Sequence, residues 1–151
     1  MAGGFTLKEE KITEFRNFLI KNFEKMFKGN TKNTNIYLDA IIAPSALNID
    51  FFKEINSLAP FGSGNSEPKF VIENIKVISS NIIGNNHIMC ILSGKDGSTF
   101  KGFAWNAKNT PLEGFLNSKN KKMINVAGKM RLNEWKGKKN IDFMIEDISI
   151  N

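Results

Sequence analysis

Residues 57–69 read Ser-Leu-Ala-Pro-Phe-Gly-Ser-Gly-Asn-Ser-Glu-Pro-Lys, SLAPFGSGNSEPK, and the hydrophobic rhythm of the chain changes across them. Before this stretch apolar residues return every three or four positions, the spacing of one helix face. After it they alternate, the spacing of half-buried strands. Proline at 60 and 68 fixes φ, while Gly62 and Gly64 supply positive φ, a combination that suits a rigid turn between domains.

Upstream, Ile12, Phe15, Phe18, Leu19, Phe23, Met26 and Phe27 make one apolar face and predict a helix over residues 7–28. Thr6-Leu-Lys-Glu9 has the form of a capping box at its start, and Gly29 stops it. Residues 35–42, Asn-Ile-Tyr-Leu-Asp-Ala-Ile-Ile, read as a strand halted by Pro44. Asn48 caps a second, short helix through Ile49, Phe52, Ile55 and Leu58, which Pro60 ends. One helix and one strand do not bury each other well enough to stand alone.

Downstream, strands are expected near 69–80, 86–93, 98–106, 122–133 and 138–149. Gly84-Asn-Asn86, Gly94-Lys-Asp-Gly97 and Lys136-Gly137 separate them with turn chemistry. Thr110-Pro-Leu-Glu-Gly-Phe-Leu116 reads as a short helix with threonine as cap and proline in the first turn. Five strands with a helix between the third and fourth is the order of an OB-fold, whereas an SH3-like barrel lacks a helix in that place. The expected fold is therefore mainly β: a five-stranded OB-fold Greek-key barrel preceded by an α/β appendage of long helix, strand and short connecting helix.

With 41% hydrophobic and 24% charged residues, the 151-residue chain has the means for a packed core and a polar surface. It shows neither an apolar run of about 20 residues nor a signal peptide at its start. A soluble, cytoplasmic protein without membrane contact is expected. The single cysteine, Cys90, has no partner for an internal disulfide, and with the single histidine, His87, it falls short of a zinc site. Cys90 reads as a buried packing residue and His87 as its polar neighbour.

The formal charge of +6 is unevenly placed. Lys119, Lys121, Lys122, Lys129, Arg131, Lys136, Lys138 and Lys139 stand against Glu134 alone between 119 and 140, a net +7 that leaves −1 for the rest. Such a window is either a solvated lysine face or, with Trp135 inside it, a surface for a polyanion.

Catalytic chemistry finds little support. The lone histidine has no nucleophile clustered with it. Asp39, Asp50, Asp96, Asp142 and Asp147 show no metal-ligand spacing, and no phosphate-cradling loop is present. Binding fares better, because an OB barrel holds single strands across its second and third strands by stacking bases on aromatics while cations follow the phosphates.

In the third strand, Phe100-Lys-Gly-Phe-Ala-Trp105, alternation puts Lys101, Phe103 and Trp105 on one side and Phe100, Gly102 and Ala104 on the other. Either set can face the core, the second because its small residues permit tight packing. The hairpin from Arg131 to Lys139 holds Trp135 at a turn, where burial is harder. The expected contact set is Lys101, Phe103, Trp105, Lys129, Arg131, Trp135, Lys136, Lys138 and Lys139, with Trp135, Lys136, Lys138 and Lys139 at its centre. No catalytic or metal-ligating residue is assigned.

Several segments, in order, resemble a known family: Ala2-Gly-Gly-Phe-Thr-Leu7, Leu38-Asp-Ala40, Leu58-Ala-Pro-Phe-Gly-Ser-Gly-Asn-Ser-Glu-Pro68, Asn133-Glu-Trp135 and Ile145-Glu-Asp-Ile148. Together they are similar to the C-terminal part of the RecJ family of bacterial single-strand-specific exonucleases, a branch of the DHH phosphoesterases. The proline and glycine segment is the most specific piece, and Ser66 departs from it where the family commonly has proline.

The resemblance implies that residues 1–44 are the tail of a DHH-associated domain, 45–66 a connecting helix and turn, and 67–151 the OB domain. It implies a part in digesting single-stranded DNA from the 5′ end during recombination and repair. Manganese or magnesium would be held by a DHH domain outside this chain, leaving no cofactor here and a fragment that holds DNA without cutting it. Implied partners are single-stranded DNA, a single-strand-binding protein and the missing catalytic domain. In isolation the helix face of Phe15, Phe18, Leu19 and Phe23 and the strand face of Ile36, Leu38 and Ile41 would expose a patch, pair with a second copy or dock back on the barrel, so self-association is expected as one outcome. Under the same resemblance, Asn65 or its backbone is an alternative DNA contact. A stand-alone OB module binding RNA or a protein partner is the competing function, and a hydrolase acting alone a third.

Overall fold

The computed structural model of the chain describes residues 4, 6–27, 35–117 and 122–150, with the backbone alone at 24, 26 and 27. The chain divides into two compact units, Met1–Ile36 and Tyr37–Asn151.

In the first unit a 3-10 turn, Glu9–Lys11, runs into helix α1, Ile12–Phe27. The expected capping box at Thr6 does not form. Lys8 takes the cap position in extended backbone without a side-chain cap, and its carbonyl accepts from Lys11 N at 2.9 Å. Glu9 thus lies inside the first turn instead of three residues past a cap, so the reciprocal pair has no geometry in which to close. Phe18, Leu19 and Phe23 are exposed, and the rings of Phe15 and Phe18 stack at 6.4 Å. The expected stop at Gly29, and the side chains of Met26 and Phe27, lie outside the described residues.

The second unit begins with β1, Ala40–Ile41, which is all that forms of the strand expected over 35–42. Asp39 explains the shortfall: its carboxylate accepts from Lys69 N at 2.8 Å, where a longer ladder would have used a backbone carbonyl. Tyr37 and Leu38 are left exposed. Helix α2, Ile49–Asn56, starts as expected, with Asn48 Oδ1 accepting from Phe51 N at 2.9 Å. Its Ile49, Phe52 and Ile55 pack against the barrel core, and Phe51 meets Phe70 with ring centres 5.8 Å apart.

The barrel strands are β2 Phe70–Ile83, β3 His87–Ser93, β4 Thr99–Ala104, β5 Ile124–Trp135 and β6 Lys138–Ile150, with helix α3, Pro111–Leu116, between β4 and β5. This is the expected OB order. The ladder runs β1-β2-β3-β4-β6-β5 and closes through a β2–β5 pairing, so five strands form the ring and β1 adds a parallel edge. Closure depends on β2 serving two neighbours: it pairs with β5 as far as Ile75 and with β3 from Lys76 onward. The bend lies at Asn74, whose φ is 57° and whose N–H donates to Asn125 Oδ1 at 2.9 Å. A second corner falls in β5, where the register with β6 shifts between Ala127 and Gly128. A Cβ on Gly128 would stand 1.9 Å from the Met144 carbonyl oxygen, so only glycine fits that close approach.

Alternation fills the interior. Ile72, Ile75 and Val77 of β2, Ile88, Cys90 and Leu92 of β3, and Phe143 of β6 are buried together, and Leu116 of α3 joins the same cluster. Each large apolar side chain there contributes about 1.5–3 kcal/mol of transfer free energy. Burial pushes the Cys90 thiol up to about 12, which suits the packing role expected for it. Thr110 does not cap α3. Its hydroxyl donates back to the Ala107 carbonyl at 2.7 Å, and Glu113 instead accepts from Asn109 N at 2.7 Å.

The proline and glycine segment precedes β2 as a compact turn. Gly62 and Asn65 exchange backbone hydrogen bonds of 2.8 and 3.2 Å. The Asn65 side-chain amide donates to the carbonyls of Leu58 and Pro60 at 2.9 and 3.0 Å. Of the two glycines expected to take positive φ only Gly64 does, because the Gly62–Asn65 bridge holds Gly62 in an extended pair. No helix among the described residues is long and apolar enough to cross a membrane.

Candidate nucleic-acid interface

Strand β4 sets the orientation of the candidate surface. Phe100, Gly102 and Ala104 point into the core, while Lys101 and Phe103 face outward and Trp105 follows the strand end at 60% exposure. This overturns the alternative in which Phe103 and Trp105 fill the core. The reason is space: a Cβ on Gly102 would already approach Ile145 Cδ1 to 2.8 Å and Cys90 Sγ to 2.9 Å. The inner side therefore has room only for the set that contains glycine and alanine.

On the outer face the ladders put Met89 opposite Phe103 and Ile91 opposite Lys101, with Met144 of β6 beside Phe103. His87, at the start of β3, completes a ring cluster. Its imidazole meets the Trp105 indole edge-on at 4.2 Å, and Phe103 lies tilted against Trp105 at 4.9 Å. His87 Nδ1 accepts from Asn106 N at 3.0 Å, which fixes the ring against the start of the following loop. His87 therefore belongs with the outer aromatics rather than serving as a neighbour to buried Cys90.

The basic residues fall into two kinds. Arg131 gives both terminal nitrogens to Glu67, one of them at 2.9 Å. Lys129 Nζ lies 3.2 Å from Glu67 and 3.5 Å from Glu146, and Glu146 also holds Lys69 at 2.7 Å. Partial burial pushes the Glu67 carboxyl up, but the hydrogen bonds from Arg131 and Lys129 outweigh it and hold the group below its ordinary range. The two β5 cations expected to meet nucleic acid are thus engaged within the protein. Lys101 stands 4.0 Å from Asp142, whose other oxygen accepts from Asn133 at 2.7 Å.

The hairpin tip differs. Lys136 and Gly137 have φ of 49° and 76°, the two positive values of a tight I′ turn. Trp135 pairs across it with Lys138 and is 72% exposed. Lys136 and Lys138 carry no ion pair among the described residues. Lys139 is 3.6 Å from Glu134 in an exposed pair, an arrangement worth little in water. Lys119 and Lys121, part of the expected basic window, lie outside the described residues.

The structure thus arranges the expected residues in three groups: Lys101, Phe103 and Trp105 on β4 and just beyond it, Lys129 and Arg131 in an internal network, and Trp135, Lys136, Lys138 and Lys139 at the tip. A match to the model described as the RecJ OB domain covers residues 38–147. The chain belongs to the RecJ OB domain family.

Over all 151 residues it is 24% identical to the single-stranded-DNA-specific exonuclease RecJ of Bacillus subtilis (strain 168), of which it covers 19%. Two structures of RecJ from Thermus thermophilus share its fold. The complex with Mn²⁺ superposes with a TM-score of 0.61 at 20% identity, over 98% of this chain and 20% of that one. For the complex with Mg²⁺ the TM-score is 0.58 at 23% identity, over 96% and 21%. The chain spans about a fifth of the length of these RecJ relatives.

Among the described residues no three His, Cys, Asp or Glu side chains gather in a way that could hold a metal ion.

Residues that the sequence reading missed are Glu67, which neutralises the β5 cations, and Met89 and Met144, which flank Phe103. Met89 was accessible from alternation along β3. Glu67 was not, since its partner Arg131 is 64 residues away.

Proposed function

We propose that the chain is the single-stranded-nucleic-acid-binding part of a RecJ-like 5′→3′ exonuclease that acts on DNA in recombination and repair in the cytoplasm. One observation carries the reading: two tryptophans, Trp105 just past the end of β4 and Trp135 at the end of β5, stand exposed on a closed barrel, the second flanked by Lys136 and Lys138, which have no ion-pair partner among the described residues. Bases stack on such rings at about 1–3 kcal/mol each. Each lysine that meets a phosphate adds about 0.7 to the log-log salt slope on a single strand. Cleavage, with its Mn²⁺ or Mg²⁺, belongs under this reading to the portion of the RecJ relatives that lies beyond the matched fifth.

The same reading assigns the exposed α1 residues Phe18 and Leu19 to that remaining portion as its docking partner. Studied by itself, the chain then self-associates through the exposed Phe18 and Leu19, with a molar mass that rises with concentration in light scattering. A single-strand-binding protein is a further partner, through the barrel.

Tryptophan fluorescence titrated with a dT oligonucleotide tests the central claim. Quenching that weakens steeply with salt, and that falls in both Trp135→Ala and Lys138→Ala, is expected. Absence of binding in dilute buffer would sink the reading.

A further inference from the structure

The face of β5 that carries Trp135 at the tip continues to Arg131, because residues two apart on a strand point to one side and the β5–β6 register is unbroken from Gly128 to Trp135. Trp135 stands about 13 Å along the strand from Arg131, four residues at roughly 3.3 Å each. A single strand laid on the tip and running toward the barrel therefore meets Arg131 as its next cation on β5. That side chain is half exposed, yet both of its terminal nitrogens are given to Glu67. Asp142, opposite Arg131 in the ladder, turns its oxygens to Asn133 and Lys101 instead, so the anion in the fork is Glu67. Glu67 lies in a stretch without regular structure between the Gly62–Asn65 bridge and β2. Its side chain can leave the fork without breaking a ladder.

We propose that the Arg131 fork is a second phosphate subsite for a single strand, kept closed by Glu67 as a built-in substitute for the phosphate. A guanidinium grips carboxylate and phosphodiester through the same pair of parallel N–H···O bonds, so the two anions compete for one place. Glu67 competes from within the chain, at a high effective concentration, and holds the fork whether or not a strand lies on the tip. It thereby limits how tightly the strand is held. Lys129 contributes less to the subsite, because Glu146 holds it at 3.5 Å as well. A bland account of the pair exists, in which it only anchors the proline and glycine segment to β5. The two accounts separate when the carboxylate loses its charge, since only a closed subsite then opens to a phosphate.

The inference rests on the single-strand-binding reading above. The test titrates the full chain with a dT oligonucleotide at several salt concentrations, in wild type, Glu67→Gln, Arg131→Gln and the double variant. Glu67→Gln, nearly isosteric, is expected to steepen the log-log slope by about 0.7, the share of one freed cation on a single strand. Its advantage over wild type then grows by about 2.6-fold between 200 and 50 mM salt. Arg131→Gln alone keeps the wild-type slope, and the double variant, which loses both partners of the pair together and so strands neither, returns to it. A mere loss of negative charge would persist in the double variant. Equal slopes in wild type and Glu67→Gln, or a steeper slope that survives the added Arg131→Gln, overturn the inference while leaving single-strand binding intact. Failure of every one of these chains to bind in dilute buffer removes the underlying reading as well.

Discussion

Glu67 and Arg131, 64 residues apart in the chain, meet through two hydrogen bonds that join the proline and glycine segment to strand β5. The carboxylate occupies the guanidinium fork in the way a phosphate would. Lys129 reaches the same carboxylate at 3.2 Å, so this part of the basic window serves the fold before it serves a ligand.

Removing these cations therefore has a different consequence from removing those at the tip. Arg131→Ala leaves Glu67, which is only 18% exposed, with Lys129 as its one remaining cation among the described residues, and costs about 1.5–3 kcal/mol of stability with a small change in the salt slope of oligonucleotide binding. Lys136→Ala with Lys138→Ala leaves stability within about 0.5 kcal/mol and lowers the slope by about 1.4. Urea denaturation and titration at several salt concentrations separate the two patterns, and a flatter slope in Arg131→Ala than in the double variant would reverse the assignment.

The same pair gives the barrel an acid-side dependence. The folded-state pKa of Glu67 lies below its ordinary value of 4.5, so its contribution is fully present above that value and is lost as pH falls through the folded value. The stability difference between wild type and Glu67→Gln is expected to stay constant from neutral pH down to about 5 and to shrink at lower pH. A difference that grows on acidification would contradict the ion-pair account.

Lys136 occupies a left-handed position that asparagine fills more cheaply in a two-residue I′ turn. Lys136→Asn is expected to raise stability by up to about 1 kcal/mol while weakening oligonucleotide binding at low salt. Thermal melting and fluorescence titration of one preparation read both effects. A variant that gains stability at no cost in affinity would show that the lysine is not kept there for its charge.

Two glycines report on closure. Gly128→Ala sets a methyl against the Met144 backbone, which cannot move without opening the β5–β6 ladder, and a loss above about 3 kcal/mol is expected. Gly102→Ala first meets the ends of Ile145, Cys90 and Leu92, which can shift, so a loss of about 1–3 kcal/mol is expected. Circular dichroism melts rank the two.

How much of this was readable in advance follows from how local each signal is. Period-two alternation and turn residues located all five barrel strands, and Asn48 located the start of α2, because those cues lie within a few residues of what they specify. The expected strand over 35–42 shrank to two residues, since Asp39 spends its side chain on Lys69, a partner 30 positions away. The facing of β4 stayed open in the sequence because both sets contain a large aromatic, and only the crowding at Gly102 decides it. The exposure of Trp135 was legible from its place at a turn. The engagement of Lys129 and Arg131 was not, for no local pattern announces Glu67.

The β5–β6 hairpin outruns the ring that anchors it. Strand β2 pairs with β5 no further along than Gly128, and β4 reaches β6 only at Phe143 and Met144. From Arg131 and Asp142 to the turn, each strand has only the other for a ladder partner. A two-stranded ribbon of this kind opens at a lower free energy than the closed body beneath it. Its amide protons should trade with solvent long before those of Ile72 or Phe143, and a strand gripped by Trp135 would slow that trade and so reveal itself without any label.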